Sequence, residues 1–254
     1  MEKSQKSISF YAKGFILIAI ILLIWELAVR WEYIPELVFP RPSKVLIKGF
    51  SLITTKDFYK NIFLTLFNWF IALITGLTIG LIIGFTSGIN KKIEQFILPI
   101  SAFARSIPPI ALFPAFLIIF GPGGFPIILA GILGGAIYVF PIASQSAEAS
   151  KEKFQDLSII LNFSKFEFMK NIVIPATLIS TIVSSRIAAS YVFAVAIGGE
   201  IIIGGSNGIG AAIFEASEKY HLEEAYFYIL FAGMLGLFID LIFTTIQNNY
   251  SYKG

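Results

Sequence analysis

Residues 106–147 read SIPPIALFPAFLIIFGPGGFPIILAGILGGAIYVFPIASQSA, an uninterrupted run without a charged side chain between Arg105 and Glu148. A helix needs about 20 apolar residues to cross the hydrocarbon of a bilayer, so this run is too long for one crossing. Gly121-Pro122-Gly123-Gly124 divides it, because glycine and proline interrupt helices and mark turns. One span then runs from about Phe96 to Phe120 and the next from about Phe125 to Gln145. Backbone amides inside a bilayer must be satisfied by the segment itself or by a closed barrel. Short strands of alternating polarity are not seen, so helices are expected.

The same test applied outward gives a span from about Gly14 to Trp31, one within Asn61–Asn90, one from about Ala176 to Gly198 and one from about Tyr226 to Ile246. The expected fold is therefore all-α and polytopic, with about six transmembrane helices and both termini on one side. Composition agrees: 56% of the residues are hydrophobic and mean hydropathy is +0.81, above the roughly 45–50% apolar usage of soluble domains. Lysine and arginine are retained preferentially in cytoplasmic loops. With the N-terminus inside, ten fall on inner segments and seven on outer ones, the segment between the first two spans being the dissenting one. Both termini are then cytoplasmic. The net charge of +3 lies on lysines flanking the spans, which suits anionic headgroups better than nucleic acid. The basic stretch Met1–Lys13 precedes an apolar run, but Trp25, Glu26 and Trp31 follow in place of small cleavage-site residues, so an uncleaved first helix is expected.

Catalytic chemistry is sparse. Cysteine is absent and the sole histidine is His221, so neither thiolate catalysis nor a histidine-rich metal cluster can be assembled and no metal site is expected. A phosphate-cradling loop of the form Gly-x-x-x-x-Gly-Lys-Ser/Thr needs a Gly-Lys pair, and none occurs. The chain is therefore expected not to be an enzyme and to bind no ATP or other cofactor itself.

Gly76, Gly80, Gly84 and Gly88 recur every four residues and share one helix face. Such stripes let membrane helices approach closely, either inside one subunit or between subunits. In the third span, Arg105-Ser106-Ile107-Pro108-Pro109 removes two amide donors in tandem and should bend or interrupt the helix. Arg105 sits beside that break, Arg186 follows a small polar run in the fifth span, Glu200 ends that span, and Asp240 lies in the sixth. Charges within spans are costly, so Arg105, Pro108, Pro109, Arg186 and Glu200 are candidates for a translocation path. Structural ion pairing or snorkelling is the competing reading. The two arginines, lacking obvious same-helix partners, would favour small anions.

The one long polar interval runs over residues 146–175. Phe154, Leu157 and Leu161 fall at i, i+3 and i+7, which predicts a short amphipathic helix over Lys151–Leu161 that either lies on the bilayer or docks into a groove on a partner.

This interval resembles the Glu-Ala-Ala loop of ATP-binding-cassette importer permeases: Glu-Ala-Ala, three residues, Gly, nine residues, then Ile-x-Leu-Pro. Asp156-Leu157-Ser158, Asn162 and Ile172-Val173-Ile174-Pro175 keep that spacing, with Asp for Glu, Ser for the last Ala, Asn for Gly and Ile174 for Leu. Asn is the residue best able to replace glycine in left-handed backbone, so Asn162 can keep the turn. Phe39-Pro40-Arg41-Pro42-Ser43, Arg105 through Pro114, and Gly199-Glu200 through Gly208-Ile209-Gly210 are similar to segments of the nitrate, sulfonate and taurine subfamily, in the same order. The resemblance implies a type I importer permease. Residues 1–59 would form the first helix and an outer segment, and residues 60–254 the core permease with its coupling loop at 146–175. It also implies a second permease copy, two cytoplasmic ATPase subunits that bind ATP and magnesium, an extracytoplasmic solute-binding protein, and alternating access coupled through the loop. Sulfonates, taurine, nitrate, bicarbonate or a thiamine-precursor pyrimidine are the solutes it suggests. A secondary transporter working alone would more often carry internal repeats and deep ion-coupling carboxylates.

Overall fold

The computed structural model describes the backbone of residues 2–204 and 207–251 and the side chains of residues 16–204 and 207–249. Among the described residues every regular element is helical: α1 (Glu2–Arg30), α2 (Pro42–Ile53), α3 (Lys56–Ile89), α4 (Lys91–Ser106), α5 (Phe113–Phe120), α6 (Gly124–Ile160), α7 (Lys165–Phe168), α8 (Ile174–Ile203), α9 (Ile209–Glu218) and α10 (Leu222–Ser251). A 3₁₀ turn at Pro109–Leu112 precedes α5 and a π turn at Met169–Val173 precedes α8. Four helices are long and apolar enough to cross a membrane, five if α4 and the segment up to Phe120 count as one broken span. The expected first span, Gly14–Trp31, begins outside the residues whose side chains are described; from Ile16 to Ile24 its apolar side chains in α1 are largely exposed.

The chain forms two compact units, Met1–Tyr59 with Ala212–Phe231, and Lys60–Ala211 with Ala232–Gly254. In the first, the rings of Trp25, Phe39 and Tyr226 pack tilted or edge-on against one another, and Phe58 packs among Phe227, Tyr228 and Phe231. Helix α2 starts at Pro42, where a missing amide costs nothing. The Ser43 hydroxyl and amide both donate to Glu26, at 2.9 and 3.1 Å. Arg41 grips Glu36 through two bonds of 2.9 and 2.6 Å, and Lys44 adds a third contact at 2.8 Å. Hydrogen bonds from Arg41 and then Lys44 hold the Glu36 carboxyl well below the usual range, at about 2.

In the second unit the glycine stripe of α3 meets the backbone of α6. A Cβ at Gly76 or Gly80 would lie 2.8 Å from the carbonyl oxygen of Ile132 or Ala136, and one at Gly84 would lie 2.5 Å from that of Phe140. Gly88 faces Ser144 in the same way. The acceptors advance four residues per step, as the glycines do, so two helices meet backbone to backbone along four turns. The stripe is thus spent inside the chain. Helix α8 packs along α6, and Ala72, Leu73, Val139, Ala143, Ala188, Ala189, Val192 and Ile239 close a core of mostly small side chains.

The break between α4 and α5 follows from its prolines. A residue preceding proline is pushed out of helical backbone, and Ile107 (ψ 115°) and Pro108 (ψ 125°) are both extended. The flanking helices bend by 84°. Gly121 and Gly123, at φ 75° and 145°, then turn the chain into α6.

Candidate functional site

The polar interval is built as a helix–turn–helix, and its first half differs from the short separate helix expected. Residues 146–160 continue α6 without interruption, since Ala147 and Ala149 favour helix and no glycine or proline intervenes. Lys91 pairs with Glu148, and the Lys151 ammonium donates to the Ile89 carbonyl at 3.0 Å, so the end of α3 is tied to this extension. Helix α6 stops at Asn162, whose φ is 53°. The Asn162 amide donates to the Ile159 carbonyl (3.1 Å) and the Phe163 amide to the Ser158 carbonyl (2.9 Å). That is a Schellman closure with asparagine in the left-handed position glycine usually takes. Ser164 and Glu167 then cap α7 reciprocally, the Ser164 amide donating to the carboxylate at 2.8 Å and the Glu167 amide to the hydroxyl at 3.2 Å. Pro175 cannot donate to the helix it enters, and the backbone widens into the π turn just before it.

Burial divides the expected docking residues. Phe154 packs against the buried cluster of Ala147, Phe168 and Val173, and Ser158 is buried with its hydroxyl on the Gln155 carbonyl at 2.6 Å. These two face inward, contrary to the expectation that Phe154 shares an exposed stripe with Leu157 and Leu161. Asp156, Leu157, Leu161 and Asn162 are exposed. Ile159, Ile160 and Phe166 join them at 67, 74 and 73% exposure, giving an apolar knob around the turn. The two isoleucines were legible in principle: Ile159-Ile160-Leu161 covers too much of a helix circumference for one buried face to absorb it.

The charged residues of the spans separate. Arg186 makes a two-bond fork with Asp240, Nε to Oδ1 at 2.7 Å and Nη2 to Oδ2 at 2.9 Å, joining α8 to α10. Its charge is therefore matched from another helix, the ion pairing that stood as the alternative to a path role. The pair lies on the wall of a cleft of about 960 Å³ between α6, α8 and α10, with Tyr138, Ser184, Ser190 and Tyr191 nearby on its lining. Arg105 is exposed at the end of α4 and makes no ion pair among the described residues; it lines a smaller cavity of about 330 Å³ with Pro109 and Gly134. Tyr138, Ile142 and Tyr191 belong to both linings. The tyrosine rings, 4.6 Å apart, are thus shared by the two cavities. Pro108 is exposed within the break and Pro109 is buried.

Glu200 lies on neither cavity. It is fully buried, accepting from the Thr65 hydroxyl at 2.8 Å and the Gly210 amide at 2.8 Å. The Ile209 amide donates to Thr65 at 2.8 Å and the Gly208 amide to Asn61 at 3.1 Å. Three successive amides at the start of α9 are thus capped by side chains of α3 and α8, satisfying donors that a helix leaves open at its N-terminus. This clasp is structural, a role different from the path residue expected. The partner Asp240 and the Tyr138–Tyr191 pair were not foreseen, since each is a contact between helices distant in sequence.

No group of three or more His, Cys, Asp or Glu residues arranged for a metal occurs among the described residues. What the geometry offers is a cleft, a neutralised ion pair, a bent span and an exposed apolar knob.

Residues 76–252 match the family described as "Binding-protein-dependent transport system inner membrane component". SsuC from Bacillus subtilis, assigned to aliphatic sulfonate transport, is 22% identical over 96% of this chain and 90% of its own. The nitrate import permease protein NrtB from Synechocystis is 23% identical over 91% of this chain and 86% of its own. The bicarbonate transport system permease protein CmpB from Synechococcus elongatus is 27% identical over 70% of this chain and 62% of its own. Among solved structures, an inward-facing MetNI methionine ABC transporter superimposes with a TM-score of 0.66 at 17% identity, over 76% of this chain and 96% of that one. An amino acid ABC transporter with histidines does so with 0.62 at 17%, over 80% and 96%.

Proposed function

The chain belongs to the family of binding-protein-dependent transport system inner membrane components, and on that footing we propose that it is the permease subunit of an ATP-driven importer of small oxyanions. Two copies, each with both termini cytoplasmic, would form the path. The cytoplasmic ATPase pair would dock on the knob around Asn162, and an extracytoplasmic binding protein would deliver the solute. The observation that carries the ATPase contact is the exposed apolar surface of Leu157, Ile159, Ile160, Leu161 and Phe166 on a turn braced at both ends. Apolar side chains at that density on a capped, rigid turn suit a groove on a partner. Their rigid continuity with α6 and α8 lets a displacement of the turn reach the cleft as a movement of whole helices. Sulfonate, nitrate and bicarbonate in the names of the relatives, together with two arginines near the cavities, support an oxyanion.

The test is co-purification. Leu157→Ser combined with Leu161→Ser, both exposed, is expected to cut recovery of the ATPase subunit at least tenfold while the chain still inserts and elutes as a single species. Undiminished recovery would refute the docking assignment. Deleting residues 154–161 would be a poorer test, since it strips Phe154 from the core.

A further inference from the structure

Arg186 and Asp240 meet in a way that a simple strut between helices does not require. The guanidinium presents Nε and Nη2 side by side to both carboxylate oxygens, at 2.7 and 2.9 Å. That is the fork in which a guanidinium receives any group offering two oxygens at carboxylate spacing. The pair is not sealed: the side chains are 38 and 31% exposed, and both line the cleft of about 960 Å³. Around them the hydroxyls of Tyr138, Ser190 and Tyr191 and the amide of Gln247 line the same cleft and make no hydrogen bond among the described residues. A bilayer-embedded cleft with four open polar groups beside a fork is furnished for a polar guest.

We propose that Arg186 is an oxyanion station and that Asp240 is its resident counter-ion, displaced when a small oxyanion such as a sulfonate or nitrate enters and restored when it leaves. This deepens the oxyanion-importer reading and rests on it. Conduction needs binding strong enough to admit a solute and weak enough to release it. A free arginine inside a membrane protein would hold an anion tightly and would be costly when empty. Asp240 answers both demands: it neutralises the empty site and competes with every occupant. Tyr138 and Tyr191 line both this cleft and the Arg105 cavity, so the two cavities share that tyrosine pair.

Titration of the full-length chain in nanodiscs with methanesulfonate, followed by calorimetry, tests this directly. Asp240→Asn is expected to bind the probe at least tenfold more tightly than the wild type. Arg186→Gln and the double variant Arg186→Gln/Asp240→Asn are expected to show no saturable binding. Arg186→Lys keeps the ion pair, and with it the fold, but loses the fork; its affinity is expected to fall about tenfold from the wild type. If Asp240→Asn proves misfolded, the lysine variant decides. Binding unchanged in Arg186→Lys, no gain in a folded Asp240→Asn, or wild-type binding in the double variant would overturn the station and leave the pair a strut. A wild-type chain that still recovers the ATPase subunit while these results fail would sink this inference alone; loss of ATPase recovery from the wild type would sink the importer reading itself.

Discussion

Asn162 holds the position where α6 must end and the chain must reverse, at φ 53°. An L-residue there costs roughly 1–2 kcal/mol unless its side chain is short and polar. Asn162→Gly is therefore expected to leave the unfolding midpoint in detergent essentially unchanged. Asn162→Val should lower stability by about 1–2 kcal/mol and should loosen ATPase binding with it, because the knob is set by this turn; equal midpoints for the two variants would show that the turn is not under conformational demand. The resemblance to the Glu-Ala-Ala loop marked Asn162 as the residue at the glycine position, and its left-handed backbone bears that out. Arg186 was legible only by half. Its cost inside a span could be read from its type, but its match to Asp240 is a contact across 54 positions that depends on how α8 and α10 pack. Glu200 taught the same lesson in reverse: an acid near a span end reads as a lining residue until its burial beneath the start of α9 is seen.

Helices were visible wherever they were long and uncharged, and their breaks wherever proline or glycine recurred. The tandem prolines located the 84° bend, and Gly121 and Gly123 the next turn. Boundaries in polar sequence were harder to see. The period of Phe154, Leu157 and Leu161 announces helix over Lys151–Leu161 but not that it continues α6, a junction held by Lys91, Lys151 and the Phe154 cluster. The glycine stripe was plain in the sequence, but its partner was not. Its match to the carbonyls of Ile132, Ala136 and Phe140 shows why α3 tolerates four glycines. Gly84→Leu is expected to destabilise the chain by about 1–3 kcal/mol or more through overpacking, read as a lowered midpoint of thermal unfolding in detergent. Gly233→Leu, where an added Cβ meets nothing within 4 Å, serves as the control. A midpoint for Gly84→Leu equal to that of the control would show that the α3–α6 approach is looser than described.

At the scale of the whole chain, family membership and an all-helical membrane architecture with a bent span describe a subunit that works with others. Its sequence carries no Gly-Lys phosphate loop, and the proposed importer draws its energy from the ATPase subunit. In that proposal the exposed apolar knob at residues 157–166 is the docking surface. Because the sequence contains no cysteine, a single Leu161→Cys substitution gives one addressable site. Short-range cross-linking from that cysteine in membranes containing the ATPase subunit is expected to give one adduct between permease and ATPase, with a yield that changes when ATP is added. A Leu161→Cys chain that forms no adduct, and whose thiol remains open to a water-soluble maleimide when the ATPase is present, would contradict the proposed docking.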